Sequence, residues 1–381
     1  MKQVCIVAAK RTPFGRFGGA FKKLSAVDLA VAAGRSILDD LSQIPIDQII
    51  IGNVLAAGQG MNVARQIGLG LGLAESIPAF SVNMVCGSGM HSIVLAAQAI
   101  QCGRAEVVLC GGTESMSNAP FLLPRSLRAP GFGHQKLRDS ILADGLTDAF
   151  DGQHMATTAE RLATKYAIDR ETQDAYAAQS QARCAAAIHD GIFEQEIVEV
   201  AGIVCDEHPR PETTASSLST LGPAFDENGT ITAGNASGIN DGAAVLLVAS
   251  LATAKENAWP VLAIIDDFAE TGCDPKEMGL GPVHAIGQLV RRTGVSLEQY
   301  DAIEINEAFA AQVIACLIEL GLTEYQVNQH GGAIALGHPI ATSGARLVAH
   351  LAHRTSRGEI QQALAALCVG GGQGIAMQIR S

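Results

Sequence analysis

Short apolar runs alternate with helix-length amphipathic segments through the first 110 residues of the chain. A run at 4–9 is followed by a segment at 25–41 whose apolar residues recur at helical spacing, with Ser25 as its expected N-cap. Strands that alternate with helices of this length predict βαβ units, so the sequence indicates an α/β fold with a largely parallel sheet. The further predicted strands are 49–54, 79–85 and 106–110, and the further predicted helices are 62–72 and 87–101.

The alternation of apolar runs with helix-length amphipathic segments is interrupted between residues 119 and 241. Prolines and glycines interrupt the pattern, and two helices are predicted at 156–166 and 170–190, the second capped by Asp169. Four basic residues in this segment could serve subunit contacts or bind the nucleotide end of an anionic ligand. They are Arg125, Arg128, Lys136 and Arg138.

Apolar, strand-like runs resume after this segment, and parts of the C-terminal sequence are similar in pattern to parts of the N-terminal sequence. The apolar run at 364–368 with its following glycines repeats the pattern of the run at 107–112. We therefore predict two similar halves packed as a pseudo-dimer. The predicted parts are an N-terminal half at 1–118 closed by a strand at 242–250, an inserted loop domain at 119–241, and a C-terminal half at 251–381.

The charge balance of the chain argues against a nucleic-acid partner. The formal net charge is −12 at pH 7, whereas phosphate binding requires a basic face. An anionic ligand is still compatible with this charge if a local basic patch binds it. With 381 residues, 48% of them hydrophobic, the chain can bury a sizeable core, and without a stretch of eighteen apolar residues no membrane span is expected.

Nine cysteines are scattered along the chain without a C-x-x-C pair. An odd number fits a disulfide framework poorly, so a reducing, cytoplasmic location and mostly buried, unreactive thiols are expected. The first residues run directly into the strand that begins at Val4, and no signal or transit peptide is expected. The ten histidines show no H-x-x-x-H or H-x-x-E-H pairing, so no metal site is predicted.

Cys86 lies between a predicted strand and a predicted helix and is followed by Gly87-Ser88-Gly89. This layout is similar to a nucleophile elbow, in which small residues allow a tight turn and a close approach by substrate. A helix N-terminus or a neighbouring histidine can lower a thiol pKa from near 8.5 to about 3.5–7.5, and we expect such lowering here. The alternative is a buried, unreactive cysteine, which we expect for the seven cysteines other than Cys86 and Cys368.

Three further residues could act with Cys86. Cys368 precedes three adjacent glycines, which indicate close backbone approach or positive φ angles, and its thiol could serve as a general acid or base. His338, in a Gly-His-Pro turn, could deprotonate Cys86, although such a histidine is more often a surface loop residue. Asn306 is a side-chain donor at a predicted helix start, where a plain N-cap role is equally compatible. Together these residues suit carbon–sulfur and carbon–carbon chemistry on thioesters.

Five segments, which occur together and in order, resemble the motifs of the thiolase family. They are 83–89, 232–243, 306–309, 331–339 and 368–374. The resemblance covers nearly the whole chain and implies an acyltransferase with the thiolase fold. In that fold, two βαβαβαββ halves form a five-layer αβαβα sandwich with an inserted loop domain. The resemblance also implies a homotetramer built as a dimer of dimers.

The resemblance implies a role for each candidate residue. Cys86 would accept the acyl group after activation by His338, and Cys368 would remove a proton from the second acetyl group. Asn306, through a water molecule, and His338 would hold the enolate oxygen, while the backbone N–H groups of Cys86 and Gly370 would form a second oxyanion hole. The implied substrate and coenzyme A contacts are His154, Met155, Arg210, Ser217, Phe225, Ser237, Met278 and Phe309.

The implied reaction is the reversible Claisen condensation of two acetyl-CoA to acetoacetyl-CoA and CoA, with coenzyme A thioesters as substrates and no cofactor. The His154-Met155 pair is similar to that of biosynthetic acetoacetyl-CoA thiolases of lipid metabolism. The alternatives are a 3-ketoacyl-CoA thiolase of fatty-acid β-oxidation, a non-catalytic thiolase-like acyl carrier, and a condensing synthase with a Cys-His-His site. The departures from the family pattern, some of which bear on acyl chain length, are Met84, Ala156, Gln329, His330, Ala341 and Thr342.

Overall fold

Twelve β-strands and eleven α-helices form the computed structural model, which describes residues 2–41, 44–123 and 136–381. The strands are β1 (Val4–Arg11), β2 (Gly15–Arg16), β3 (Gln48–Gly52), β4 (Ala79–Val82), β5 (Val107–Ser115), β6 (Phe121–Leu122), β7 (Arg138–Asp139), β8 (Asn240–Ser250), β9 (Ala263–Gly272), β10 (Ala302–Ile305), β11 (Gln362–Val369) and β12 (Gln373–Arg380). The helices are α1 (Ala26–Asp40), α2 (Val63–Gly70), α3 (Ser88–Gln101), α4 (Met155–Lys165), α5 (Arg170–His189), α6 (Ala215–Ser219), α7 (Leu251–Glu256), α8 (Gly281–Thr293), α9 (Ala310–Leu320), α10 (Ala333–Leu336) and α11 (Ser343–Ser356).

Ten strands form one mixed sheet in the order β10-β11-β12-β9-β1-β8-β5-β3-β4, with β2 paired to β8. In the described part of the chain, parallel pairing is limited to β3 with β4, β3 with β5, and β10 with β11. The prediction of a largely parallel sheet is therefore wrong. β11 and β12 are joined by a tight turn, which forces an antiparallel pair, and β8 enters between β1 and β5 in the antiparallel direction.

Helices cover this sheet in three layers. α1 and α2 pack on the outer face of the first half, α8 and α9 pack on the outer face of the second half, and α3 and α11 lie between the two halves. Side chains alternate along β8, so that Val245 packs in the cluster with the outer helices α1 and α2, whereas Leu246 packs in the cluster with the inner helices α3 and α11. The five-layer αβαβα sandwich with two halves is confirmed.

Small residues bring the two central helices into close contact. A Cβ on Gly89 of α3 would lie 2.5 Å from the carbonyl oxygen of Ala341, and one on Gly344 of α11 would lie 2.8 Å from the backbone nitrogen of Met90. α11 is buried from Ser343 to Thr355, almost its whole length. This close approach brings the start of α3, which follows Cys86, next to the start of α11.

Most predicted elements are present with shifted ends. The Ser25 hydroxyl caps α1 in a capping box with Asp28, and the Asp169 carboxylate caps α5 by accepting a hydrogen bond from the Thr172 N–H. The strand predicted at 79–85 stops at Val82, before a turn. Of the basic residues, Lys136 and Arg138 are described, whereas Arg125 and Arg128 lie outside the described residues. The proposed domain boundaries stay a prediction.

The expectation that seven cysteines serve packing is correct for four of them. Cys5, Cys110, Cys184 and Cys316 are buried. It is wrong for Cys102 and Cys205, which are exposed. Cys102 is the C-cap residue of α3, and Cys205 lies on a surface loop. Cys273 is half-buried. Within the described ranges, no helix combines the length and apolar character needed to cross a bilayer.

Candidate active site

Cys86 lies on the turn between β4 and α3, and its Sγ is 3.3 Å from Nε2 of His338, a residue 252 positions away in the sequence. The turn places Val85 at φ +44°, a left-handed conformation that β-branched residues rarely adopt and that costs about 1–3 kcal/mol. Ser88 closes the turn, because its hydroxyl accepts from the Met84 N–H and donates to the Val85 carbonyl. The expected tight turn is present, with the strain on the residue before the thiol.

His338 is buried, so the alternative of a surface loop histidine is excluded. Its Nδ1 lies 2.5 Å from the hydroxyl oxygen of Ser343, and its backbone N–H donates to Oδ1 of Asn240 at 3.1 Å. Because the Ser343 hydroxyl donates to the Pro339 carbonyl, its oxygen can accept from Nδ1–H. This arrangement assigns the tautomer in which the lone pair of Nε2 faces the thiol of Cys86.

The structure contradicts the expected lowering of the Cys86 pKa. Burial raises the pKa of this thiol to about 11, against the opposite effect of hydrogen bonds from the backbone N–H groups of Gly370 and of Cys86 itself. Burial also lowers the pKa of His338 to about 4, and the nearby charge of Arg346 lowers it further. The free protein therefore holds a neutral thiol beside a neutral imidazole, and the proton has to move as the sulfur attacks.

This pair of pKa shifts predicts how the reactivity of Cys86 depends on pH. Below a raised pKa of about 11 the thiolate fraction grows with pH, so the rate of alkylation by iodoacetamide is expected to rise roughly tenfold per unit from pH 7 to pH 9. Mass spectrometry of the Cys86 peptide after timed labelling measures this rate. A rate that stays level between pH 6 and pH 8 would contradict the neutral pair, since it would indicate a thiolate already formed at pH 6.

Cys368 is buried at the end of β11, just before the glycine turn that leads into β12. As expected from the sequence, Gly371 and Gly372 both have φ +85°, and a Cβ on Gly372 would lie 2.5 Å from the Cys273 carbonyl oxygen. Burial raises the pKa of Cys368 well above its ordinary value, and the charge of a Cys86 thiolate raises it further. The site therefore contains two thiols, Cys86 on a half-buried residue and Cys368 on a buried one, that influence each other electrostatically.

Asn306 follows β10 and is completely buried, and its backbone N–H donates to the Ala366 carbonyl. The N-cap alternative is wrong, because α9 begins at Ala310 and its N-cap is Phe309. Neither Oδ1 nor Nδ2 of Asn306 has a hydrogen-bond partner among the described residues. A buried amide nearly always has a partner, so this side chain is available to a water molecule or a ligand.

The segment that carries Asn306 is fixed by its neighbour Glu307. The Glu307 carboxylate accepts hydrogen bonds from Ser180, Tyr176 and Asn328 side chains and from the backbone N–H of Ile334. A Cβ on Gly332 would lie only 2.4 Å from the Glu307 carboxyl carbon. The conformation around Asn306 is therefore tightly held, although its side-chain amide has no hydrogen-bond partner among the described residues.

A cavity of about 390 Å³ opens beside His338. Four of the predicted contact residues line it, namely His154, Phe225, Ser237 and Phe309. The rings of His154 and Phe225 are stacked with their centroids 4.4 Å apart, and Nδ1 of His154 accepts from the Ala156 N–H at the start of α4. The apolar residues Met116, Leu142, Leu146, Ile239 and Ile340 complete much of the wall; Ile239 lies in the 232–243 motif, whereas Met116, Leu142 and Leu146 lie in no quoted motif.

The other predicted contacts divide into a buried and an exposed pair. Met155 and Met278 pack with Phe309 and Cys368 in one apolar cluster. Arg210 and Ser217 are exposed and lie outside the cavity wall. The Ser217 hydroxyl is used locally, in a capping box with Thr214 at the start of α6.

Several residues that depart from the family pattern make specific local contacts. The Thr342 hydroxyl donates to the Gly242 carbonyl at 2.8 Å, and Ala341 packs against backbone at the centre of the protein. Gln329 accepts from Arg354, and His330 Nδ1 lies 3.0 Å from His350 Nε2, both away from the cavity.

Sequence reasoning missed three residues that hold His338 or its turn: Ser343, Asn240 and Glu114. Ser343 and Asn240 contact the histidine directly, and Glu114 accepts from the Ala341 N–H of the same turn. The only available signal was that all three lie inside or beside glycine-containing motifs. In the part of the chain that the structure describes, no group of three or more His, Cys, Asp or Glu side chains is arranged to hold a metal ion.

Comparison with known proteins covers the full length of the chain. Residues 4–252 match the family model described as Thiolase, N-terminal domain, and residues 259–381 match the one described as Thiolase, C-terminal domain. The acetyl-CoA acetyltransferase of Pseudomonas aeruginosa is 48% identical over 390 residues, which cover 100% of this chain and 99% of that protein.

Solved structures of two related proteins are also similar to this chain over its full length. The acetyl-CoA acetyltransferase of Bacillus anthracis has a TM-score of 0.96 and 40% identity, over 100% of this chain and 99% of that one. The human mitochondrial 3-ketoacyl-CoA thiolase in complex with CoA has a TM-score of 0.96 and 44% identity, over 100% of this chain and 98% of that one. The fold is therefore shared along the entire chain.

Proposed function

The chain belongs to the thiolase family of acyltransferases, and we propose that it is an acetyl-CoA C-acetyltransferase, which interconverts two acetyl-CoA with acetoacetyl-CoA and CoA. The observation that carries this proposal is the 3.3 Å contact between Cys86 Sγ and His338 Nε2, with a second buried thiol at Cys368. The acetyl-CoA acetyltransferases of similar sequence and structure support the choice of substrate.

In the first half-reaction, the sulfur of Cys86 attacks the carbonyl carbon of acetyl-CoA while its proton passes to Nε2 of His338. The negative charge on the carbonyl oxygen is stabilised by the N–H groups of Cys86 and Gly370, which already point at the sulfur in the free protein. The carbon–sulfur bond to CoA breaks, and the leaving thiolate takes the proton of the Cys368 thiol, which leaves Cys368 as a thiolate and His338 protonated. Acetyl-Cys86 and free CoA result.

In the second half-reaction, Cys368 removes a proton from the methyl group of another acetyl-CoA. His338 and Asn306, through a water molecule, stabilise the enolate oxygen, and the unpaired amide of Asn306 supports this role. The enolate carbon attacks acetyl-Cys86, acetoacetyl-CoA forms, and the Cys86 thiolate recovers its proton from His338, while Cys368 keeps the proton of the methyl group. One oxyanion donor of this kind is typically worth ~2.7–4 kcal/mol.

The cavity suits the arm of a coenzyme A thioester. Its wall is mostly apolar, with the polar groups of His154 and Ser237 spaced along it, as expected for a pocket that orients a flexible ligand. Met155 and Met278 fill the space around Cys368 and favour a short acyl group. The exposed Arg210 and Ser217 would meet the polar end of CoA. The thioester is the substrate, and the proposed chemistry needs no further cofactor.

We extend the proposal to a cytoplasmic homotetramer. β4 is an edge strand of the sheet, with Phe80 partly exposed on it, and an unprotected edge strand favours pairing with a second copy of the chain. Light scattering in solution would report the mass of four chains, and a monomeric mass would contradict this extension.

Substrate length tests the proposed reaction. We expect thiolysis of acetoacetyl-CoA to exceed thiolysis of a C8 3-ketoacyl-CoA in kcat/KM, because the methionines around Cys368 occupy the room for a longer chain. The second candidate, a 3-ketoacyl-CoA thiolase, is favoured by the apolar wall residues Leu142 and Leu146 and by the similarity to the human enzyme. Faster turnover of the C8 substrate would establish that second candidate.

A non-catalytic acyl carrier is tested separately by mass spectrometry after mixing with acetyl-CoA. The proposed enzyme carries an acetyl adduct on the Cys86 peptide and passes it to a second acetyl-CoA. A Cys86 peptide without an adduct would favour the carrier.

A further inference from the structure

Glu114 is a buried carboxylate at the end of β5 that the proposed chemistry does not use. Its Oε1 accepts hydrogen bonds from Nδ2 of Asn53 and the N–H of Leu55, both at 3.0 Å. Its Oε2 accepts from the N–H groups of Val54 and Ala341, both at 3.2 Å. One side chain therefore joins the loop after β3 to the turn that carries His338.

The position of this turn is defined by β5 as well. A Cβ on Gly112 of β5 would lie 2.0 Å from the Ala341 carbonyl oxygen, so the strand and the turn meet backbone to backbone. The Glu114 carboxylate adds directional hydrogen bonds to this contact. Only a carboxylate offers two acceptor oxygens to four N–H donors, because a glutamine amide would direct its own NH₂ group at two of them.

We propose that Glu114 is a positioning residue, which keeps His338 within reach of the Cys86 thiol by binding the turn at Ala341. The inference rests on the proposed roles of Cys86 and His338. The alternative is an electrostatic role, but burial raises the pKa of Glu114 to about 7, and the charge of its ionised form raises the pKa of Cys86 and so opposes thiolate formation. Glu114 therefore contributes to the reaction by fixing the position of the turn that carries His338.

The test is Glu114→Gln. We expect kcat for acetoacetyl-CoA thiolysis to fall about 10- to 100-fold, since a misplacement of about 1 Å can reduce a rate 10²-fold, while KM stays within about twofold. The rate of Cys86 alkylation by iodoacetamide, read on its peptide by mass spectrometry, should fall with kcat. The exposed thiol of Cys205 in the same digest is the internal reference and should react at the wild-type rate.

Glu160→Gln is the matched control. The Glu160 carboxylate also accepts two backbone N–H groups, from Thr230 and Ile231 at 2.7 Å, but it holds a loop that does not carry His338. This variant should lower the melting temperature and leave Cys86 alkylation and kcat unchanged. A loss of Cys86 reactivity in both variants would indicate a general effect of stability and would overturn the proposal.

The two roles of Glu114 predict opposite results. Removal of a charge that opposes the thiolate would speed alkylation, so faster labelling with unchanged kcat in Glu114→Gln overturns the positioning role. If the glutamine variant does not fold, Glu114→Asp keeps the charge and withdraws it from the turn by one methylene; wild-type rates in that variant would equally overturn it. Alkylation needs no thioester, so it tests Glu114 even if wild-type Cys86 accepts no acetyl group and the proposed function fails.

Discussion

Replacement of Cys86 by alanine is expected to abolish acetyl transfer in both directions, with a loss on the order of 10⁴-fold or more. In the proposed mechanism Cys86 holds the acyl intermediate, while the second thiol, Cys368, moves a proton. Spectrophotometric thiolysis of acetoacetyl-CoA and CoA release from acetyl-CoA measure the two directions. The small change in volume at a half-buried turn should leave the circular dichroism spectrum unchanged.

Cys102→Ala is the matched control for this experiment. Cys102 lies at the opposite end of the helix that begins after Cys86, and its thiol is exposed. The control variant should retain the wild-type rate in both directions. A Cys86→Ala enzyme that keeps more than a tenth of the wild-type rate would remove Cys86 from the mechanism.

Asn306→Ala is expected to reduce kcat on the order of 10²–10³-fold while the protein stays folded. The reason is that its amide forms no hydrogen bond within the described protein, so its removal deprives the enolate of a donor and breaks no internal contact. Steady-state kinetics in the condensation direction measure the loss. The free energy of unfolding should change by less than about 1 kcal/mol, since only a small buried volume is lost.

Asn328→Ala provides the contrast. The Asn328 amide is also buried, but it accepts from the Ile305 N–H and donates to the Ile305 carbonyl and to Glu307. Its removal leaves these groups unpaired and should destabilise the protein by about 1–3 kcal/mol. A wild-type rate for Asn306→Ala, or a stability loss equal to that of Asn328→Ala, would mean that Asn306 is structural.

Prediction from the sequence was most accurate at positions where a single physical requirement, such as a tight turn or a helix cap, selects the residue type. Glycines that follow Cys86 and Cys368 predicted the turns at these residues, and capping residues such as Ser25 and Asp169 predicted where helices begin. Periodicity predicted the strands and helices of the first half to within a few residues. Together with the resemblance of five segments, these signals were enough for the five-layer fold.

Other properties depend on tertiary contacts that no local pattern encodes. Strand direction was mispredicted because β12 follows β11 through a tight turn and because β8 and β9 pair antiparallel with strands that are distant in the sequence, which local periodicity does not encode. The raised pKa of Cys86 reflects burial in the folded protein, which outweighs the hydrogen bonds from the backbone N–H groups of Gly370 and Cys86. Glu114 contacts the turn that carries His338 only after folding brings both halves together, so this contact could not be inferred from spacing, whereas Ser343 contacts His338 from five residues further along the chain.

The contact between Cys86 and His338 across 252 positions of sequence has a consequence for how activity is acquired. β1 pairs with β8 near residue 250 and also joins β9, so the sheet closes only through contacts of long sequence separation, which form slowly. Until the two halves dock, neither can present a complete reaction centre. During refolding, recovery of turnover should therefore lag behind recovery of the helical circular dichroism signal. A chain whose halves have not yet docked should not react with thioesters.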